Sequence, residues 1–65
     1  MVNEEPKVAD FGRYSIAETS KLLGIHRNTL LRWTKAGIIR FGVRRSTMRK
    51  FYLGREIKRF WRAEI

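Results

Sequence analysis

The chain has 65 residues, and its 15 Lys and Arg against 6 Asp and Glu give a formal net charge of +9. A chain of this length forms one small domain at most. Because it has no cysteine and a single histidine, His26, a disulfide framework, a thiolate zinc site and a multi-histidine metal cluster are excluded. No apolar run could span a bilayer, and the acidic N-terminus lacks the apolar segment of a signal peptide. We therefore expect a cytoplasmic protein without a cofactor, a metal or a membrane segment.

The first twelve residues carry scattered charges and Pro6 but no apolar periodicity. This composition predicts a disordered lead over residues 1–12, followed by a single domain over residues 13–65. Phe11 is the residue of the lead that could fold back onto the core.

Ser15 and Glu18 have the spacing of a capping box, in which each side chain accepts a hydrogen bond from the other residue's backbone N–H. They predict the start of a first helix, Ile16 to Leu23, which Gly24 ends as a left-handed residue. The helix is expected to bury one stripe of apolar and small side chains: Ile16, Thr19, Ser20 and Leu23.

A second helix is predicted to begin near Arg27, with His26 at the N-cap position, and to end at Gly37. Leu30 and Trp33 form its inward face at helical spacing. The residues left on its outward side are Arg27, Asn28, Leu31, Arg32 and Lys35.

After Gly37 the apolar period changes and predicts two strands, residues 38–41 and residues 49–52, joined by a loop over residues 42–48. The loop is polar and basic, which gives this hairpin a positively charged tip. Phe51 and Tyr52 must point to opposite faces of the sheet, and we expect Tyr52 to face the core.

Gly54 is the expected N-cap of a third helix that closes the core. Its inward residues repeat at helical spacing: Ile57, Phe60, Trp61 and Ile65. Trp33, Phe60 and Trp61 could instead stack on the bases of a single-stranded nucleic acid, but their spacing and apolar neighbours favour packing in the core.

The first two helices flank Leu23, Gly24 and Ile25, which is the spacing of a helix-turn-helix, although an ordinary helical hairpin uses the same glycine. The outward face of the second helix decides between them, because it carries Arg, Asn and Lys without an acidic residue. From Thr19 to Arg55 the chain has ten basic residues and no acidic one, which favours a polyanionic partner. Arg can bind guanine, and Asn can bind adenine, through two hydrogen bonds each. The hairpin tip adds three further candidate DNA contacts: Arg44, Arg45 and Arg49.

The segment from Tyr14 to Gly37 resembles the MerR-like winged helix-turn-helix superfamily and is most similar to its small excisionase-like members. The likeness includes the run Leu22–Gly24, the apolar pivot Ile25 and the aromatic Trp33 near the helix end. It implies a mainly α fold with a small β-hairpin, in which two short helices are followed by a two-stranded antiparallel wing and a C-terminal helix.

The resemblance also implies that the second helix lies in the major groove of duplex DNA, with the wing against the neighbouring minor groove or backbone. The residues it implicates are Arg27, Asn28, Thr29, Leu31, Arg32 and Lys35 on the helix, and Arg44, Arg45 and Arg49 on the wing. This chain has His26 where these proteins usually have Ser or Thr, and a longer, more arginine-rich wing loop than many of them.

Two functions use this surface, and the sequence does not separate them. A DNA-binding unit without the dimerising coiled coil of MerR regulators suits an excisionase-type factor of a phage or mobile element. Such a factor bends DNA for a site-specific recombinase, an integrase, and assembles cooperatively on repeated sites. A small transcriptional regulator is the alternative, and an adaptor whose basic face meets an acidic protein is a more remote one. No carboxylate pair suits acid–base catalysis, so we expect no enzymatic activity and no small-molecule substrate.

Overall fold

The computed structural model describes residues 1–64, which form three helices and three short strands. In chain order they are β1 (Arg13–Tyr14), α1 (Ile16–Leu23), α2 (Arg27–Lys35), β2 (Gly42–Arg44), β3 (Arg49–Leu53) and α3 (Gly54–Glu64). None of the helices in this range is long and apolar enough to cross a membrane. Ile65, predicted as an inward residue of the third helix, lies outside the described residues.

The strands form one antiparallel sheet in the order β1-β3-β2. β2 and β3 are the hairpin that follows α2, and β1 joins the free edge of β3 through the pairs Arg13↔Leu53 and Tyr14↔Tyr52. The two helices of the helix-turn-helix, the hairpin and α3 together make a winged helix-turn-helix, which is the predicted fold class. The sequence did not predict β1.

Local capping chemistry sets the bounds of α1. The Glu18 N–H donates to Ser15 Oγ and the Ser15 N–H donates to Glu18 Oε1, each over 3.1 Å, which confirms the capping box. At the other end Gly24 has φ 68°, a left-handed conformation that glycine adopts without steric cost. α1 therefore spans the residues predicted for it.

The core lies where α1, α2, α3 and the sheet meet. Its buried apolar side chains are Leu23, Leu30, Ile39, Tyr52, Ile57 and Phe60. The Tyr52 hydroxyl lies 2.6 Å from Thr34 Oγ1 of α2, so the expectation that Tyr52 faces inward is confirmed. Trp33 packs against this core with its ring centroid 5.2 Å from that of Phe60.

The position of the hairpin corrects the sequence analysis in one respect. The first strand was predicted over residues 38–41, but it is Gly42–Arg44, and residues 45–48 alone form the turn. The apolar run before it is a connection in which Ile39 is buried and Ile38 is half-exposed, so it anchors the chain to the core without pairing. Within β2, a side chain in place of Gly42 would collide with the ring of Phe51.

Residues 1–12 make contacts that the sequence analysis did not predict. The Val2 N–H donates to the Leu23 carbonyl over 2.9 Å, and Trp61 Nε1 donates to the Val2 carbonyl over 3.1 Å. The lead then reaches α3, where the Arg55 N–H donates to the Asp10 carbonyl over 2.9 Å. The suggestion that Phe11 folds back onto the core is wrong, because its side chain is 76% exposed.

The start of α3 also differs from the prediction. Gly54 was expected as the N-cap, but it is the first residue of the helix and is buried. Its N–H donates to the Gly12 carbonyl over 3.0 Å, and the Ala9 carbonyl lies where a side chain on Gly54 would be. Backbone carbonyls of the lead thus take the place of a side-chain cap at this helix end.

Candidate nucleic-acid interface

The outward face of α2 carries the predicted base-contacting residues. Leu30 and Thr34 are the buried residues of the helix, so Asn28, Arg32 and Lys35, at i, i+4 and i+7, lie on the opposite side and are exposed. This spacing aligns three hydrogen-bonding side chains along one helical stripe.

The N-terminus of α2 is fixed by a side-chain cap. His26 Nδ1 accepts a hydrogen bond from the Asn28 N–H over 3.1 Å, which confirms His26 at the N-cap position. The imidazole nitrogen thus accepts the capping hydrogen bond that a Ser or Thr hydroxyl more commonly accepts at this position. Arg27 follows as the first helical residue and is exposed.

An open groove of about 660 Å³ separates α2 from the base of the wing. The residues that line it are Asn28, Leu31, Arg32, Thr34, Lys35, Phe41 and Lys50. Four of the six helix residues predicted for the site therefore share one groove. Arg27 and Thr29 are not among its lining residues, and Thr29 is half-buried.

Lys50 and Phe41 are groove residues that the sequence analysis did not single out. Lys50 Nζ lies 5.8 Å from the centroid of the Phe41 ring, so the ammonium group rests near the aromatic face. Lys50 stands two residues before Tyr52 on β3 and hence on the same face of the sheet. The inward assignment of Tyr52 could have pointed to Lys50, whereas no local signal pointed to Phe41.

The wing arginines lie apart from this groove. Arg44 and Arg49 are paired directly across β2 and β3, so they share the face of the hairpin opposite to Lys50. Arg45 is in the turn. All three side chains are exposed, but the structure brings Arg44 and Arg49 towards Arg13, whose guanidinium lies 4.9 Å above the Phe51 ring.

Charge is distributed unevenly over the molecule. The ion pairs found within residues 1–64 join the lead to α3 or lie within α3: Lys58 with Asp10, Arg62 Nε with Glu5 Oε1 at 2.7 Å, and Arg59 with Glu56 at 3.7 Å. The hydrogen bond and charge of Lys58 hold the pKa of Asp10 below its usual value. None of these pairs involves α2 or the wing, and the residues that line the groove beside α2 include no carboxylate.

A protein-family model described as "Helix-turn-helix domain" matches residues 13–64 of the chain. Comparisons with curated proteins and with solved structures found no match. The family match covers both helices of the motif, the wing and α3. The chain therefore belongs to the helix-turn-helix domain family and is a DNA-binding protein of the winged helix-turn-helix fold.

Proposed function

We propose that the chain binds specific sequences of duplex DNA, with α2 in the major groove and the wing against the adjacent minor groove or backbone. The observation that carries the proposal is the groove between α2 and the wing, which is lined by Asn28, Arg32, Lys35 and Lys50 and contains no acidic side chain. An ordinary solvated helix would interleave acidic and basic residues.

Each side chain of the groove has a role that its chemistry supports. Arg32 can donate two hydrogen bonds to guanine O6 and N7, and Asn28 can form the corresponding pair with adenine. Leu31 is an apolar contact for the methyl group of thymine. Lys35 and Lys50 are compact charges that line the groove and would bind phosphates of the two strands.

The flanking residues add contacts to the DNA backbone. Arg27 at the start of α2 would bind a phosphate, together with the positive end of the helix dipole. On the wing, Arg44 and Arg49 are paired directly across β2 and β3, and two like charges in this arrangement disfavour the free hairpin. A phosphate bound between the two guanidinium groups would remove this repulsion.

We further propose that the chain acts as an excisionase-type architectural factor, with a transcriptional regulator as the alternative. A single module of this kind covers about 600–1,000 Å² of DNA-facing surface, too little for high specificity alone. Repeated sites, cooperative self-association or contact with a site-specific recombinase would supply the remainder. The excisionase assignment rests on the resemblance of residues 14–37 to small proteins of that type.

The decisive experiment for the biological role is selection of bound fragments from the source genome. Sites clustered beside an integrase attachment site would support the excisionase role, and sites over promoters would support the regulator. Affinity for the selected fragments must fall steeply with salt, because several phosphates release their counterions. A flat salt dependence would instead support an adaptor that binds an acidic protein.

The residue-level experiment compares Arg32→Ala with Arg59→Ala, which removes the same charge from an exposed position on α3 that does not line the groove. Loss of a bidentate guanine contact costs about 1–3 kcal/mol, or about 5- to 150-fold in affinity for the selected site. We expect Arg32→Ala to lose that factor on the selected site and much less on random DNA, while Arg59→Ala changes neither strongly. Equal losses of affinity for the selected site and for random DNA would show that Arg32 contacts a phosphate and not a base.

A further inference from the structure

The tip of the wing contains an unusual backbone conformation. Residues 45–48 connect β2 to β3, and the last of them, Met48, has φ 56°. It is the only residue other than glycine with a positive φ among residues 1–64. Its N–H closes the turn by donating to the Arg44 carbonyl over 2.7 Å. Glycine and asparagine are the residues that commonly adopt this left-handed conformation, because a longer side chain is strained in it.

Met48 is also one of the most exposed large apolar side chains, with 75% of its surface accessible. It makes no contribution to the core, and the turn would close as well with glycine. The position therefore combines backbone strain with an exposed apolar group, and neither helps the free protein. Strain that the fold does not require often marks a functional position.

The neighbours of Met48 suggest what the side chain meets. Arg44, Arg45 and Arg49 surround the same tip and are exposed. These guanidinium groups would hold the tip against the phosphates that border a groove of the duplex. An unbranched, polarisable thioether between them is the kind of side chain that enters between stacked bases.

We propose that Met48 is an apolar wedge that inserts from the minor groove between two base pairs and kinks the bound DNA. This rests on the proposed function, since it requires that the wing lies against duplex DNA. The wedge proposal adds that the bend in the DNA arises from one side chain at the tip of the wing and not from α2. The turn leaves the side chain exposed to solvent before DNA arrives, so no contact within the protein has to be broken when it inserts.

The test uses Met48→Gly, because glycine suits the left-handed turn and leaves the hairpin able to fold. Val43→Ala is the matched control, since Val43 is a half-exposed apolar residue of the same wing away from the tip. The probe is a 30-base-pair duplex that carries a fluorophore at each end and the highest-affinity site selected from a randomised pool. Energy transfer between its ends at saturating protein reports the bend, and 2-aminopurine placed at successive steps under the wing reports unstacking.

We expect the wild type and Val43→Ala to raise energy transfer and to brighten 2-aminopurine at one step, while saturating Met48→Gly does neither. A duplex with a one-nucleotide gap at that step, which bends easily, should bind Met48→Gly and wild type within about twofold of each other. Unchanged bending and unstacking by Met48→Gly, or a straight duplex with the wild type, would overturn the wedge and leave DNA binding intact. A wild type that selects no duplex from the pool would overturn the proposed function as well.

Discussion

Substitution of Gly54 by alanine tests whether the lead is packed on the start of α3. Gly54 has no positive φ, so its backbone suits alanine, and the nearest atoms that a side chain there would meet all belong to the lead. The Ala9 carbonyl lies directly in its place, and the Val8 side chain is 3.0 Å away. The sign of the effect on stability therefore depends on whether residues 1–9 lie where the structure has them.

The magnitude follows from two opposing contributions. Replacing glycine by alanine within a helix stabilises it by about 0.5–1 kcal/mol. Making room for the new methyl group displaces the chain around Ala9, which ends the bond from the Ala9 N–H to Tyr14 Oη and the bond from the Arg55 N–H to the Asp10 carbonyl, 3.0 and 2.9 Å. At about 1 kcal/mol per hydrogen bond, these losses come to about 2 kcal/mol. Gly54→Ala should thus lower the free energy of unfolding by about 1 kcal/mol or more.

The assay is a double-mutant cycle that combines Gly54→Ala with deletion of residues 2–9. Urea unfolding at low temperature, followed by tryptophan fluorescence, gives the free energy of unfolding of all four proteins. In the deletion background the methyl group has free space, so Gly54→Ala should raise the free energy of unfolding by about 0.5–1 kcal/mol. The same substitution should therefore change sign between the two backgrounds, with a coupling of about 2 kcal/mol.

A substitution that stabilises both backgrounds equally would refute this reasoning. Residues 1–9 would then leave the space over Gly54 open in solution, as a disordered lead does. The composition of the lead predicts that alternative, so the cycle decides between the contacts in the structure and the expectation from the sequence.

Three further substitutions test the core and the wing. Trp33→Ala should lower the free energy of unfolding by about 3 kcal/mol. This is the lower end of the range for a large aromatic residue, because the Trp33 ring is only partly buried. A thermal unfolding curve like that of the wild type would contradict this prediction. Tyr52→Phe should cost about 1 kcal/mol through the lost bond to Thr34. Burial raises the pKa of Tyr52, so the wild type should lose stability above about pH 10, where only the unfolded phenol ionises, and pH-dependent unfolding should show a smaller loss in the variant. Arg44→Thr should raise the free energy of unfolding by about 0.2–1 kcal/mol, because it removes the repulsion between Arg44 and Arg49. The same substitution should weaken DNA binding. A lower free energy of unfolding in the variant would show that the two arginines do not repel each other.

The features that the sequence predicted well are those with local causes. Ser15 and Glu18 cap each other within one helical turn, and Gly24 ends α1 by its own backbone freedom. His26 caps α2 through an atom two residues from its partner. Such signals are complete within a few residues, so no knowledge of distant contacts is needed.

The features that it missed depend on partners far along the chain. β1 has two residues and exists because Tyr14 pairs with Tyr52. The run from Ile38 to Phe41 looks like a strand by composition, but Ile39 is held by the core and the pairing begins after it. Short strands carry little intrinsic preference, so tertiary contacts decide where they lie.

The candidate site likewise combines residues that local periodicity predicts with residues that only tertiary packing brings together. The outward residues of α2 follow from helical periodicity once the inward face is known, and Asn28, Arg32 and Lys35 lie together as expected. Lys50 and Phe41 complete the groove through the packing of the wing against the helix, which periodicity does not encode. The wing contacts at Arg44, Arg45 and Arg49 stay predictions, as do the individual base contacts of α2.

The confinement of the ion pairs to the lead and α3 gives the molecule a permanent electric dipole. Its positive end is the side that carries α2 and the wing, and its other end is nearly balanced in charge. The electric field of a polyanion such as DNA orients the protein before the two molecules make contact. A larger share of diffusional encounters therefore begins in a productive orientation. The carboxylates of the lead thereby contribute to association without contacting DNA, because they neutralise positive charge on the side that does not carry α2 and the wing.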